Sequence, residues 1–194
     1  MLKQHHLSGS RPFRFLRIAG CVLLTCAVCS ADEPPTPIKH QVTGLFSKER
    51  VDDLKEVFKK MPEFELQTID FERAEISVVY VVEKSFPGAN PVQVVERFDN
   101  RLRNETRHTF GIKALCTTPH KELELIEIPI VGLDCKACCL GAYEAIYRIE
   151  GVEQATASFK DGLVTARIHP EKTNREALED ALRKRGVTLF KSKP

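Results

Sequence analysis

The chain has no tryptophan, only three tyrosines, and a formal net charge of +2 over 194 residues. A nucleic-acid-binding protein needs a clustered basic face and aromatic side chains that stack on bases, so this composition argues against that class. The sequence also lacks a Ser-His-Asp set, a glycine-rich phosphate loop and a helix with paired carboxylates. We therefore predict a protein that is not an enzyme and that has no nucleic-acid partner.

A long membrane-spanning segment is missing as well, since the apolar run at residues 18–28 is shorter than the roughly 20 residues that cross a bilayer. A basic segment at residues 11–17 precedes this run, and the small residues Ser30 and Ala31 follow it. This order is typical of a secretory signal peptide, which we predict over residues 1–31. The protein is then exported, either periplasmic or secreted. An uncleaved N-terminal membrane anchor is the alternative.

Beyond residue 31 the chain is slightly acidic, with 25 basic and 27 acidic residues. Residues 32–37 are Asp-Glu-Pro-Pro-Thr-Pro, and we predict an extended linker there because proline fixes φ and removes backbone donors. Four of the seven cysteines remain in this part of the chain, namely Cys116, Cys135, Cys138 and Cys139.

The chain after the linker contains an internal repeat. When Gly44 is aligned with Gly132, the two segments stay in register without a gap for 37 residues, and seven positions are identical. The apolar positions also coincide along the aligned segments. A repeat of this kind indicates two copies of one structural unit, which we place at residues 38–115 and 122–191.

The second copy shows the hydrophobic periodicity of alternating strands and helices. Residues 123–131 alternate as in a half-buried strand, residues 140–149 carry the apolar stripe of a helix, and Asp161-Gly162 is a hairpin signal. A second helix and a short strand at residues 187–190 follow. The order β-α-β-β-α-β predicts a ferredoxin-like α+β unit, with a four-stranded antiparallel sheet and two helices on one face.

The first copy follows the same order with small differences. An insertion at residues 84–91 lengthens the connection to its second helix, which we predict over residues 92–107, and its last strand is expected at residues 109–115.

In the second copy, Pro129 lies in the first strand and counts slightly against a fully paired central position, because proline cannot donate a hydrogen bond to the neighbouring strand. The whole chain is thus predicted to hold two ferredoxin-like units in tandem.

Three cysteines lie within five residues, in the connection between the first strand and the first helix of the second copy. Cys135 and Cys138 are three positions apart where the helix begins, so both thiols are able to face one cation. Backbone N–H groups and the positive end of the helix favour their thiolate forms. Thiolates prefer Cu(I), Zn(II), Cd(II) or Hg(II) over hard cations. Cys135 and Cys138 are therefore the predicted metal ligands.

Three sequence features of the second copy form a pattern: Gly-Leu-Asp-Cys-Lys-Ala-Cys at residues 132–138, then Gly151-Val152, then Gly186-Val187. The pattern resembles that of the heavy-metal-associated domain family. This family includes metallochaperones, the N-terminal modules of metal-exporting P-type ATPases and the periplasmic mercury-binding protein. The resemblance implies a soft metal ion held by Cys135 and Cys138. It also implies that the partner is a metal-transporting ATPase or another domain of the same family.

Three residues of the loop depart from the usual family pattern. Leu133 replaces the usual Met, a change that conserves volume. Asp134 precedes the first cysteine, as in modules of ATPases that export zinc, cadmium and lead, where the carboxylate can be a further ligand. Cys139 adds a third thiol. Whether Asp134 and Cys139 bind the ion stays open, as does the choice between copper and a divalent soft metal.

The matching loop of the first copy carries no thiol. Ser47 and Arg50 occupy the positions of Cys135 and Cys138. Serine is a poor ligand for soft metals and arginine is none, so we predict a degenerate copy without a metal site at this loop. Its expected role is that of an interaction or packing module.

Two other uses of the cysteines remain as alternatives. In an oxidising compartment, Cys135 and Cys138 can form a disulfide with each other or with Cys116. A thiol–disulfide exchange protein also places Cys-x-x-Cys at a helix start, although that fold has a longer β-α-β segment after the motif. Cys116 and His120 lie in the short connection between the copies, from which they can reach a site, but we interpret them as solvated linker residues. The remaining histidines of this part show no ligand spacing: His40, His108 and His169.

Overall fold

The computed structural model describes residues 36–132 and 134–190. The predicted signal peptide and most of the predicted linker lie outside these residues, as does Leu133. Within the described ranges, no helix has both the length and the apolar character needed to cross a membrane. Both repeats belong to one compact unit of the chain.

The first repeat forms a four-stranded antiparallel sheet with the strand order β2-β3-β1-β4. Its elements are β1 (Ile38–Thr43), α1 (Arg50–Phe58), β2 (Glu65–Asp70), β3 (Glu75–Val79), α2 (Val82–Ser85), α3 (Pro91–Thr106) and β4 (Gly111–Lys113). The short helix α2 lies at the start of the predicted insertion, and the last strand is shorter than expected. Helix α3 begins at Pro91 because Asn90 and Gln93 form a capping box there.

The second repeat forms its own four-stranded antiparallel sheet, with the strand order β6-β7-β5-β8. Its elements are β5 (Glu124–Val131), α4 (Lys136–Tyr147), β6 (Val152–Ser158), β7 (Leu163–Ile168), α5 (Arg175–Lys184) and β8 (Thr188–Leu189). The two sheets have the same topology. The predicted α+β fold of two tandem ferredoxin-like units is therefore confirmed.

The central strand β5 shows how the sequence pattern produces the sheet. Ile126, Ile128 and Ile130 are buried, whereas the residues between them are exposed, so one face of the strand is covered. The reservation based on Pro129 is wrong, because β5 lies between β7 and β8 and Pro129 is paired opposite Leu163. The Pro129 carbonyl also accepts a hydrogen bond of 2.9 Å from the Phe190 N–H.

Each repeat has its own hydrophobic core, and one residue crosses from the first repeat to the second. Phe46, in the β1–α1 connection, is only 4% exposed and belongs to the core that β5, α4 and β6 build. Its ring centroid lies 5.8 Å from that of Tyr143. The Phe46 carbonyl accepts a 2.9 Å hydrogen bond from the N–H of Ala157 on the edge strand β6. The loop of the first repeat therefore covers an edge of the second sheet.

Further polar contacts join the repeats beside Phe46. The Gly44 N–H donates to the Tyr143 hydroxyl at 2.8 Å, and the Gln41 amide donates to the Glu153 carbonyl at 2.8 Å. Lys160 forms an ion pair with Glu49 at the rim. Through these contacts the first repeat packs against the second. A packing role is one of the roles expected for a copy that lacks the metal-binding thiols.

Candidate metal site

Cys135 is the residue that caps α4. Its backbone is extended, with φ −150° and ψ 160°, and its Sγ accepts a hydrogen bond of 3.2 Å from the N–H of Cys138. A side-chain acceptor at this position satisfies one of the free N–H groups of the first helical turn. The helix therefore begins at Lys136, earlier than the apolar stripe from residue 140 predicts. The cap holds the Cys135 sulfur over the helix N-terminus.

The two cysteines of the motif are free thiols with different exposure and acidity. Cys135 is exposed and Cys138 is half-buried. Hydrogen bonds from the Cys138 thiol and then from the Cys138 backbone lower the pKa of Cys135. The same contact, followed by burial, raises the pKa of Cys138. Cys135 is therefore the first of the pair to become a thiolate.

Cys139 points away from this pair and into the core. It is 1% exposed and packs in the same core as Phe46 and Tyr143. Burial raises the pKa of its thiol, which favours the neutral form. Its position one residue after Cys138 turns it about 100° around the helix.

No third ligand converges on Cys135 and Cys138 within residues 36–132 and 134–190. Neither Cys139 nor Asp134 forms a group of three metal-binding atoms with them. The side-chain contact that the structure shows within this loop joins the Cys135 sulfur to the Cys138 N–H.

A groove of about 330 Å³ leads to the Cys138 side of the site. Its walls come from the end of β5, the first turns of α4 and the segment before β8. Arg185 lines it together with Cys138, and this guanidinium lies 3.9 Å from Glu144. The groove gives an incoming ligand access to Cys138.

The corresponding loop of the first repeat is filled by an arginine. Arg50 donates to the Gly44 carbonyl at 3.4 Å and forms a 2.7 Å ion pair with Asp53. Its guanidinium carbon lies 4.0 Å from the centroid of the Phe110 ring, and its side chain is 14% exposed. Arg50 therefore contributes packing and hydrogen bonds at the position where the second repeat has Cys138.

Sequence reasoning missed a second group of potential ligands. Cys116, interpreted as a solvated linker residue, is half-buried and lies beside Glu153 and His169. Histidine and cysteine spacing along the sequence gives no signal for this group, because its members come from three separate segments.

Comparisons with known proteins find no family model and no curated protein that matches this chain. Solved structures do match. The CopZ metallochaperone is similar at 21% identity and a TM-score of 0.34, over 34% of this chain and 100% of that one. Oxidized MerP from Ralstonia metallidurans CH34 is similar at 22% identity and a TM-score of 0.34, over 35% of this chain and 94% of that one.

Another solved structure is similar over most of the chain. The N-terminal soluble domains of Bacillus subtilis CopA match at 20% identity and a TM-score of 0.33, over 79% of this chain and 90% of that one. At these identities and TM-scores the similarity supports no conclusion about function, and the fold follows from the strand order of the two sheets.

Proposed function

We propose that this protein binds a soft metal ion through the thiolates of Cys135 and Cys138 and passes it on by ligand exchange. The observation that carries the proposal is the contact at the start of α4, where the Cys135 sulfur accepts the Cys138 N–H at 3.2 Å. This contact favours a thiolate at Cys135, and a hydrogen bond from the Cys138 thiol adds to the same effect by lowering the pKa of Cys135. Two thiolates suit Cu(I) or Hg(II), which accept two ligands, and water can complete the set for Zn(II) or Cd(II).

The exposure of the site favours transfer over permanent storage. Cys135 is open to solvent, and the groove beside Cys138 leaves room for a ligand from a partner. An incoming thiolate can bind the ion before the first sulfur leaves, so the ion is never released. A metal-transporting ATPase or another heavy-metal-associated domain is a partner with such thiolates. Export to a periplasm or the cell exterior remains part of this proposal.

A thiol–disulfide exchange function is the second candidate, and one observation favours it. The pKa of Cys135 is lowered and that of Cys138 is raised, as in a pair with one attacking and one resolving thiol. The same asymmetry also suits stepwise metal capture, in which Cys135 binds first. Turnover of a disulfide substrate separates the two functions, because metal transfer produces none.

The test is a titration of the full chain under reducing conditions with Cu(I), Hg(II) and Zn(II), each in competition with a chromophoric chelator. A matched variant carries Cys135→Ser and Cys138→Ser and keeps every other cysteine. We expect the native chain to bind one more equivalent of Cu(I) or Hg(II) than the variant. Equal metal uptake by both chains would show that Cys135 and Cys138 are not the ligands. Turnover of a disulfide substrate by the native chain and not by the variant would favour the second candidate.

A further inference from the structure

Three side chains with metal-binding atoms meet at the contact between the repeats. The Cys116 sulfur, a Glu153 carboxylate oxygen and a His169 ring nitrogen all lie within 4.8 Å of one another. Cys116 comes from the connection between the repeats, Glu153 from β6, and His169 directly follows β7. We propose that these three residues bind a divalent zinc-like cation, at a site separate from Cys135 and Cys138.

A β-bulge releases Glu153 from the regular ladder. Val152 pairs with Ile168 and Gln154 pairs with Arg167, so Glu153 has no partner on β7. The Glu153 side chain instead lies beside His169, whose Nε2 is 3.1 Å from its Oε1. Bulges of this kind redirect a side chain, and here the redirected carboxylate meets the imidazole.

The groups around Glu153 and His169 hold these two side chains in the orientation that a cation site needs. The Nδ1 of His169 lies 3.3 Å from a carboxylate oxygen of Glu171. Such a carboxylate on the far ring nitrogen fixes the ring of a metal-binding histidine and strengthens it as a ligand. The Lys113 ammonium lies 3.1 Å from Oε2 of Glu153, which leaves Oε1, the oxygen nearest His169, for the ion. His169 is itself only 12% exposed.

The donor set selects the class of cation. One sulfur, one nitrogen and one carboxylate oxygen match the ligands that zinc takes in tetrahedral sites, with water as the fourth ligand. Magnesium and calcium prefer sets made of oxygen alone. The thiolate and the carboxylate together bring two negative charges, which neutralise a divalent ion beside Lys113. A bound ion would also tie the connection at Cys116 to β6 and β7.

This inference does not depend on the thiols of the α4 loop, and its test removes them. The full chain carries Cys135→Ser and Cys138→Ser and is purified without a histidine tag. Zn(II) is titrated alone against a chromophoric chelator, and Co(II) is titrated alone for its thiolate charge-transfer absorption. Ligand variants add Cys116→Ser, Glu153→Gln or His169→Gln, and the control adds His108→Gln. Cys21, Cys26 and Cys29 stay in every version, so their contribution cancels.

We expect Cys116→Ser to remove one bound equivalent of Zn(II) and the matching Co(II) absorption. A further variant, Glu171→Gln, removes the carboxylate that supports His169, and such a loss typically lowers metal affinity about 10- to 100-fold. Glu153→Gln and His169→Gln remove ligands, so each should lower the Zn(II) affinity at least as much. His108→Gln should bind as the parent does. Circular dichroism identifies any variant that fails to fold, and Cys116→Ser then decides alone because serine has nearly the same shape. Equal Zn(II) and Co(II) binding with and without Cys116→Ser would overturn the inference.

Discussion

The backbone carbonyl of Phe46 accepts a hydrogen bond of 2.9 Å from the backbone N–H of Ala157. Phe46 belongs to the repeat without thiols, whereas Ala157 lies on the edge strand β6 of the repeat that carries Cys135 and Cys138. Exposed edges tend to pair with other chains, so covering this edge protects the second sheet from such pairing. The contact also brings the Phe46 side chain into the core that holds Cys139.

Replacing Phe46 with alanine should therefore destabilise the second repeat although the residue belongs to the first. Loss of a buried phenylalanine costs about 3–5 kcal/mol of unfolding free energy. Urea denaturation measures the change, and Phe159→Ala, at a position that is 46% exposed, is the control with a loss below about 1 kcal/mol. A similar loss in both variants would argue against the packing role of Phe46.

The aligned glycines of the two loops should respond differently to alanine. Both have positive φ, 87° at Gly44 and 82° at Gly132, so alanine costs about 1–2 kcal/mol at either one. At Gly44 a new Cβ would also lie 2.0 Å from the Thr109 carbonyl oxygen, whereas at Gly132 it would meet nothing within 4 Å. Chemical denaturation should show a clearly larger loss for Gly44→Ala than for Gly132→Ala, and equal losses would contradict the different packing of the loops.

The buried His40 should make the first repeat sensitive to acid. Its Nε2 lies 2.9 Å from the Tyr80 hydroxyl, its ring packs edge-on against Phe98, and burial lowers the pKa of its imidazole from 6.5 to about 4. Between these values the unfolded chain binds more protons than the folded one, so the unfolding free energy falls as pH decreases from about 6.5 to about 4. The loss reaches at most about 3 kcal/mol.

The measurement is denaturant unfolding at several pH values in that window. His40→Gln has no imidazole at this position, so its unfolding free energy should change less with pH than that of the native chain. This holds even if the substitution changes the unfolding free energy itself. His108→Gln, at an exposed position, serves as the control and should keep the native pH dependence. An unchanged slope in His40→Gln would mean that other groups cause the acid sensitivity.

Cys139 should matter for stability and not for metal binding. Cys139→Ala removes a buried sulfur, and we expect a loss of about 1 kcal/mol in unfolding free energy with unchanged Cu(I) stoichiometry. Cys138→Ala, the neighbouring change, should remove the bound Cu(I) with little effect on stability. Calorimetric titration with Cu(I) and thermal unfolding of the same two variants measure both properties. Loss of Cu(I) binding in Cys139→Ala would make this thiol a third ligand.

Much of the fold could be predicted because its signals are local or repeated. The alternation of Ile126, Ile128 and Ile130 gives β5, and the ungapped repeat transfers the same topology to the first half of the chain. The apolar stripe predicts a helix from residue 140, whereas α4 begins at Lys136, because a cysteine cap and the residues directly after it carry no apolar period. Local patterns define an element well in its middle and poorly at its ends.

The contacts between distant segments could not be predicted from the sequence. Phe46 aligns with Asp134 in the repeat, and nothing in the local pattern indicates that it packs into the other repeat's core. The group of Cys116, Glu153 and His169 depends on a bulge in β6 and on how the connection between the repeats runs. Such features follow from tertiary packing, which a single sequence does not reveal by periodicity.

The most direct test of the central proposal is site-resolved alkylation of the cysteines, read by mass spectrometry. The reduced full chain is treated with an alkylating reagent, without metal and with one equivalent of Cu(I). We predict that without metal Cys135 reacts faster than Cys138 and Cys139, and that Cu(I) protects Cys135 and Cys138 together. Alkylation of Cys135 and Cys138 at the same rates with and without Cu(I) would contradict the proposal that these two thiols hold the metal.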